Sequence, residues 1–243
     1  MEGKKIRVTV WNEFRHEKEM DAVKAIYPQG LHQCIGEALG KDAAFEVRLA
    51  SLDEPENGLP QEVLDNTDVL FWWGHAHHQE VADETAKRVA DRVLGGMGLI
   101  VLHSGHISKP FQRLLGTTGQ LRWREDGAST RIWAVNPAHP IVQGVGPYID
   151  LAQEEMYSEP FLIPEPDELV FISWYKGGEV FRSGCVFRRG AGKIFYFQPG
   201  HETYPNYKNE QIQRVLINAA KYVAPTVQIQ DVYGCPCVPS LEY

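Results

Sequence analysis

Two uninterrupted apolar runs, Asp68-Val-Leu-Phe-Trp-Trp73 and Gly98-Leu-Ile-Val-Leu102, constrain this chain more than any other feature of its sequence. A strand that is apolar at every position is covered on both faces, the condition of a parallel sheet with helices on either side. The β-branched residues 6–10 open the series and residues 45–50 alternate as a second strand. Between and after these strands, residues 19–26, 30–39, 61–64, 80–94 and 109–115 carry helical apolar spacing, with Gly95-Gly96 stopping the fourth. Strand, loop and helix recur, so the expected fold is α/β: a doubly wound, mostly parallel sheet of the flavodoxin-like type. From Arg122 the pattern becomes β-rich. Residues 130–135, 168–174, 180–187 and 193–197 are strand-like, separated by Gly- or Pro-rich turns, and predict extra, partly antiparallel strands in the C-terminal half. Residues 209–222 close as an amphipathic helix, with Ile212, Val215, Leu216 and Ala219 inward.

The 243 residues fit one domain over residues 1–225. A tail over residues 226–243 lacks helical period but carries Val227, Ile229, Val232, Tyr233, Val238 and Leu241. It is expected to pack on the domain or on a neighbouring subunit, which makes a homo-oligomer an expectation as well. Lys and Arg number 24 against 32 Asp and Glu, a net charge of −8 with no basic tract, which argues against nucleic-acid and anionic-membrane partners. No apolar run approaches the ~20 residues of a membrane span. The start of the chain has no signal-type apolar region, and four cysteines make no disulfide scaffold, so a cytoplasmic location is expected. Cys34 and Cys185 read as small buried hydrophobes. Cys235 and Cys237 form a C-x-C, not the C-x-x-C of zinc and redox sites.

Nine histidines are ordinary for this length, but seven of them, His16, His75, His77, His78, His103, His106 and His201, sit just past the end of an expected strand. That edge of an open parallel sheet is where ligands bind. Imidazoles converging there with carboxylates form a natural site for a divalent metal, zinc first, with iron, nickel or manganese as alternatives. Each ring alone is equally explained as a helix cap or a hydrogen-bonded turn residue. His139, in Asn136-Pro-Ala-His-Pro140, reads as a turn residue. In Gly200-His-Glu202, the carboxylate is a ligand, an acid/base or a helix cap. In Gln153-Glu-Glu-Met-Tyr157, one of Glu154 and Glu155 is expected to face the site and the other water. Trp11, Trp72, Trp73, Tyr157 and Tyr204 suit sugar stacking, but aromatic residues at strand ends are more often core.

These segments together resemble the ThuA family of trehalose-utilisation proteins, within the class I glutamine-amidotransferase-like superfamily. The resemblance rests on residues 8–17, Trp72-Trp-Gly-His75 with His78, Gly98-Leu-Ile-Val-Leu-His-Ser-Gly-His106, Asn136-Pro-Ala-His-Pro-Ile141, Glu154-Glu-Met-Tyr157 and Pro199-Gly-His-Glu-Thr-Tyr-Pro205. It implies the flavodoxin-like sheet and a small carbohydrate substrate, either trehalose or a keto-sugar or glycoside. Amidotransferases place a nucleophilic Cys on the strand-to-helix elbow. Here His103 stands in that place, which excludes thiolate chemistry there, while His201 falls near the superfamily's catalytic histidine. The expected site therefore has His78, His103 and His201 as metal ligands, with His75 and Glu202 in reserve. Glu154, Glu155 and Glu202 are candidates for proton transfer, and Glu13, Arg15, His16, Ser104, His106 and Tyr157 for substrate contacts. Two rivals stay open: a non-catalytic sugar-binding or sensory module, and a Ser104-dependent hydrolase with His106 or His201 as base.

Overall fold

The computed structural model describes residues 4–226. The expectations for the tail beyond Thr226, its packing on a neighbouring subunit and the Cys235/Cys237 pair lie outside the described residues. The elements in chain order are β1 (Ile6–Asn12), α1 (His16–Glu19), α2 (Asp21–Ile26), α3 (Leu31–Gly40), β2 (Phe45–Ser51), α4 (Gln61–Asp65), β3 (Val69–Trp73), α5 (Asp83–Leu94), β4 (Gly98–Leu102), α6 (Lys109–Leu115), β5 (Arg122–Ala134), β6 (Tyr148–Ser158), β7 (Glu168–Tyr175), β8 (Val180–Arg189), β9 (Gly192–Phe197) and α7 (Glu210–Val223).

All nine strands form one sheet, ordered β2-β1-β3-β4-β9-β8-β7-β5-β6. The first five are parallel, the 2-1-3-4-5 pattern of flavodoxin-like folds with β9 in fifth place. Both apolar runs that predicted this sheet are buried at every strand position. One face packs Val10, Phe71, Ile100 and Phe195 against Ile35 of α3 and Leu216 of α7. The other packs Leu70, Trp72, Leu99 and Val101 against Val89 and Val93 of α5 and Phe111 of α6. Helix α5 starts three residues later than its sequence period predicts. Its lead-in is held open by outside partners: Ala82 N donates to Asn57 Oδ1, and Lys109 Nζ donates to the carbonyls of Val81 and Gln79.

The remaining four pairings are antiparallel. In a flat sheet, four strand spacings of ~4.8 Å would hold β6 about 19 Å from β9. Yet Glu154 of β6 accepts a hydrogen bond of 2.7 Å from Gly200 N, just beyond β9, and Gln198 Nε2 donates to Glu155 O at 3.2 Å. The antiparallel half therefore rolls back over the C-terminal ends of the parallel strands. Register shifts between Arg124 and Thr130 in the β5–β6 pair, and between Leu169 and Ser173 in the β7–β8 pair, supply the bends. This roll sets β6 over the mouth of the parallel sheet. Among the described residues, no helix is long and apolar enough to cross a membrane.

Candidate functional site

Strands β3, β4 and β9 end side by side, and the loops that follow them carry His75, His103 and His201. One ligand atom from each of these rings, together with a carboxylate oxygen of Glu202, lies within 4.8 Å of the others. The rings are packed at 5.2–5.5 Å between centroids. Each Nδ1 is tied to an oxygen: His75 to Ser104 Oγ at 2.7 Å, His103 to the Gln198 carbonyl at 3.0 Å and His201 to Thr203 Oγ1 at 2.7 Å. An imidazole fastened at Nδ1 presents Nε2. His103 sits at φ 49°, the left-handed region, so the strand-to-helix elbow is sharply turned at this residue.

The carboxylates around the rings divide into struts and site groups. Glu13, buried at the end of β1, accepts the backbone N–H groups of His75, Ala76 and His77 at 2.8, 3.0 and 3.1 Å. It shapes the His75 loop and is not placed to meet a substrate hydroxyl. Glu154 is 0% exposed and accepts from the N–H of Gly200, the N–H of His201 and Asn206 Nδ2. The expectation that one of Glu154 and Glu155 faces water is overturned, because the turn after β9 supplies donors that bury Glu154. Glu155 faces the rings, with Oε2 3.0 Å from His103 Nε2 and 4.0 Å from His201 Nε2. Glu202 Oε1 lies 2.7 Å from Nδ1 of His16, which therefore steadies a carboxylate of the cluster. His78 is not part of the convergence: its ring packs against Gly74, and its Nε2 is buried without a partner. Gathering three consecutive N–H groups onto Glu13 curls the loop so that His75, not His78, joins the centre. Arg15 is held by Asp53 and Glu80 on the surface. A second trio, Glu13, His16 and His77, also lies within 4.8 Å, but both of Glu13's oxygens are already committed to backbone.

The electrostatics follow from this layout. Burial disfavours charge on His103, but the facing Glu155, Glu154 and Glu202 outweigh it and push the ring up to about 9. Burial lowers His75 to about 4 and also lowers His201. Burial also works against ionised Glu202 and Glu155, yet His16 and the ring cluster hold Glu202 well below the usual carboxylate range, and His103 lowers Glu155. His16 in turn is raised by Glu202. Of this cluster, Glu202 Oε2 is sealed from solvent without a hydrogen bond, while His103 Nε2 and Glu155 Oε2 are buried facing each other at 3.0 Å.

Beside the cluster opens a cleft of about 260 Å³, lined by His75, Ser104, His106 and Ile107 from the parallel half and by Glu155 and Tyr157 of β6. Its remaining wall, Gln120, Leu121, Trp123 and Glu125, comes from the start of β5 and its lead-in. Ser104 Oγ bridges His75 and Tyr157 OH at 2.7 and 2.8 Å, pairing the serine with His75 instead of the expected His106 or His201. His106 Nδ1 donates to the Gly119 carbonyl at 2.7 Å, and burial lowers this ring to about 3. The buried tryptophans are core: Trp11 stacks on Trp72 at 4.0 Å, and Trp73 Nε1 holds the Gly200 carbonyl at 3.1 Å. Gly200, at φ 131°, admits no side chain because an added Cβ would run into the Tyr207 hydroxyl. Besides Tyr157, the cleft carries Trp123, 65% exposed, which the sequence reading missed. Its only signal is its place between two arginines at the start of a strand.

The sequence profile of the ThuA family, described as trehalose utilisation, matches residues 7–223. The chain belongs to the ThuA family. No curated protein sequence is significantly similar to it. Solved structures place this ThuA chain among ThuA-like folds: a ThuA-like protein of Parabacteroides merdae superposes with a TM-score of 0.63 at 15% identity over 94% of each chain. A ThuA-like protein of Bacteroides uniformis gives 0.61 at 12% identity, over 90% of this chain and 91% of that one. A cytoplasmic protein of Salmonella typhimurium gives 0.59 at 13% identity, over 91% of this chain and 100% of that one. At these identities the likeness speaks for the fold.

Proposed function

We propose that this ThuA chain is a cytoplasmic enzyme of small-carbohydrate utilisation that works with a divalent metal held by His75, His103, His201 and Glu202. The observation that carries the reading is the convergence of one ring nitrogen from each of three histidines and a carboxylate oxygen at the sheet's C-terminal edge, with each Nδ1 beside an oxygen. The donor set fits such an ion, zinc first: three imidazoles and one carboxylate match the ligands it takes, and Glu202 Oε2 is buried without a hydrogen bond. When bound, the metal supplies Lewis acidity toward a sugar carbonyl or a bound water. The protein's own groups do the rest. Glu155, at the boundary between cluster and cleft, is the carboxylate placed to take or give a proton at a ligand in the cleft. His16 fixes Glu202, Glu13 fixes the His75 loop, and Glu154 fixes the backbone of Gly200 and His201. Sugar as the substrate class rests on the family's description and on the polar, aromatic-edged cleft.

The test is elemental analysis of the untagged protein by mass spectrometry, with His103→Ala and His201→Ala alongside. Near-stoichiometric metal in the wild type and its loss from both folded variants are expected. Full metal content in both variants would overturn the ligand assignment. The Ser104–His75 contact supports a second reading, a serine hydrolase. Absence of metal together with labelling of Ser104 by a serine-directed phosphonate would put that reading in its place.

A further inference from the structure

The trio of Glu13, His16 and His77 shares no residue with the set His75, His103, His201 and Glu202, yet it too brings one ring nitrogen from each histidine and a carboxylate oxygen within 4.8 Å of one another. Its members come from two loops, those that follow β1 and β3. The backbone N–H groups that engage both of Glu13's oxygens do not exhaust them. A carboxylate has about four lone-pair sites. Oε2 accepts from His75 N and His77 N, but Oε1 accepts only from Ala76 N. Oε1 therefore keeps a site for a ligand. The three N–H groups also fix the direction of the carboxylate, which is 1% exposed, as hydrogen bonds do for ligating carboxylates in general.

Both histidines are held in the tautomer that a metal requires. His16 Nδ1 lies 2.7 Å from Glu202 Oε1, and His77 Nδ1 lies 2.5 Å from Glu80 Oε1. An ionised carboxylate only accepts, so each ring carries its proton on Nδ1, and in the neutral ring Nε2 has the free lone pair. An imidazole backed by a carboxylate in this way is the usual form of a metal-binding histidine. The surroundings suit a cation. Glu202, Glu13 and Glu17 all lie close enough to His16 to act on its charge. Arg15 is taken up by Asp53 and Glu80, and Lys18 by Asp53.

We propose that Glu13, His16 and His77 form a second metal site, separate from the first, for a divalent transition ion of the zinc kind. Two imidazoles and one carboxylate are a donor set that such ions take, with water completing the coordination. The His16 and His77 side chains are 16% and 29% exposed, so water reaches this side. An ion on His16 Nε2 keeps the proton on Nδ1, where it is given to Glu202. The second ion thus ties the β1 loop to the β3 loop and steadies a carboxylate of the first site. It does not depend on the ligand set proposed above.

The experiment is calorimetric titration of the untagged, chelator-stripped protein with zinc, checked by elemental analysis after gel filtration. The wild type is expected to take up an ion that His77→Ala loses and His103→Ala keeps. Alanine retains the backbone N–H that residue 77 gives to Glu13, so the loop is left standing. Glu80→Ala removes the backing of His77 and touches no other ligand of either site, so it should weaken this ion about tenfold and leave the other unchanged. Zinc uptake in His77→Ala equal to that of the wild type would overturn the site. An ion lost with His77→Ala but bound as tightly in Glu80→Ala would be an adventitious ion on an exposed histidine, and would overturn it too. Loss of an ion in His77→Ala with none lost in His103→Ala would support this site and overturn the first ligand set, so the two readings fail separately.

Discussion

Replacing Glu13 by Gln keeps the shape of the side chain and tests whether it is a strut or a substrate ligand. In the wild type, Oε2 accepts from His75 N and His77 N, and Oε1 from Ala76 N. Hydrogen bonds to a charged group contribute about 1.5–3 kcal/mol each, neutral ones about 0.5–1.5. In Glu13→Gln the amide oxygen serves one side, and the amide NH₂ confronts a backbone N–H on the other. At least one buried donor then loses its partner, at about 1–3 kcal/mol, and the surviving bonds lose charge assistance. Since such contributions are not additive, the net destabilisation is about 3 kcal/mol. For a chain of this size that corresponds to a fall of about 6–12 °C in Tm. Urea denaturation followed by tryptophan fluorescence reads the free energy and calorimetry reads Tm. Metal content should fall as well, because the His75 loop loses its template. A loss of stability below about 0.5 kcal/mol, with sugar binding abolished, would refute the strut and restore Glu13 as a substrate ligand.

Two further outcomes follow from local geometry. Because His103 occupies the left-handed region at φ 49°, His103→Gly should be more stable than His103→Ala by about 1 kcal/mol, since a Cβ is penalised there and glycine is not; the reverse order in urea denaturation would show that the elbow relaxes once the ring is gone. Asp68 is half-buried, and burial opposes its charge, yet its hydrogen bonds from Arg7 lower its carboxyl below the ordinary value of 3.8. Its contribution is therefore present above that value and lost as pH falls through the lower folded one, so the wild type should lose stability on acidification below about pH 4 more steeply than Asp68→Asn; parallel curves would remove the pair from the acid response.

The parallel half was legible because its strands are apolar at every residue. The runs ending at Trp73 and Leu102 fixed two strands, and the histidines after them marked the ligand edge. Strand β6 was not legible. Its stretch from Tyr148 to Ser158 carries Asp150, Gln153, Glu154 and Glu155, a composition that reads as exposed loop. The donors that make Glu154 a buried residue belong to Gly200, His201 and Asn206, about fifty positions later, and no local pattern announces them. The same limit applies to the choice between His75 and His78. Both follow β3, and only the reach of Glu13 across to the next strand decides which ring turns inward. Among the aromatic residues, Trp11, Trp72 and Trp73 are core, the reading their place at strand ends favoured, whereas Trp123 stands at the start of a strand that the roll carries to the cleft.

The roll that brings β6 over β9 also divides the labour of the site between two separable parts. The metal-ligand candidates stand on loops of the parallel sheet, while Gln120, Leu121, Trp123, Glu125, Glu155 and Tyr157 all belong to the β5–β6 hairpin and its lead-in. A change of ligand can therefore be written into the hairpin like an exchanged cover, by altering its near end while the histidine loops stay as they are. The carboxylate of Glu154 is a hinge pin of such a cover, an attachment any exchanged hairpin would have to keep.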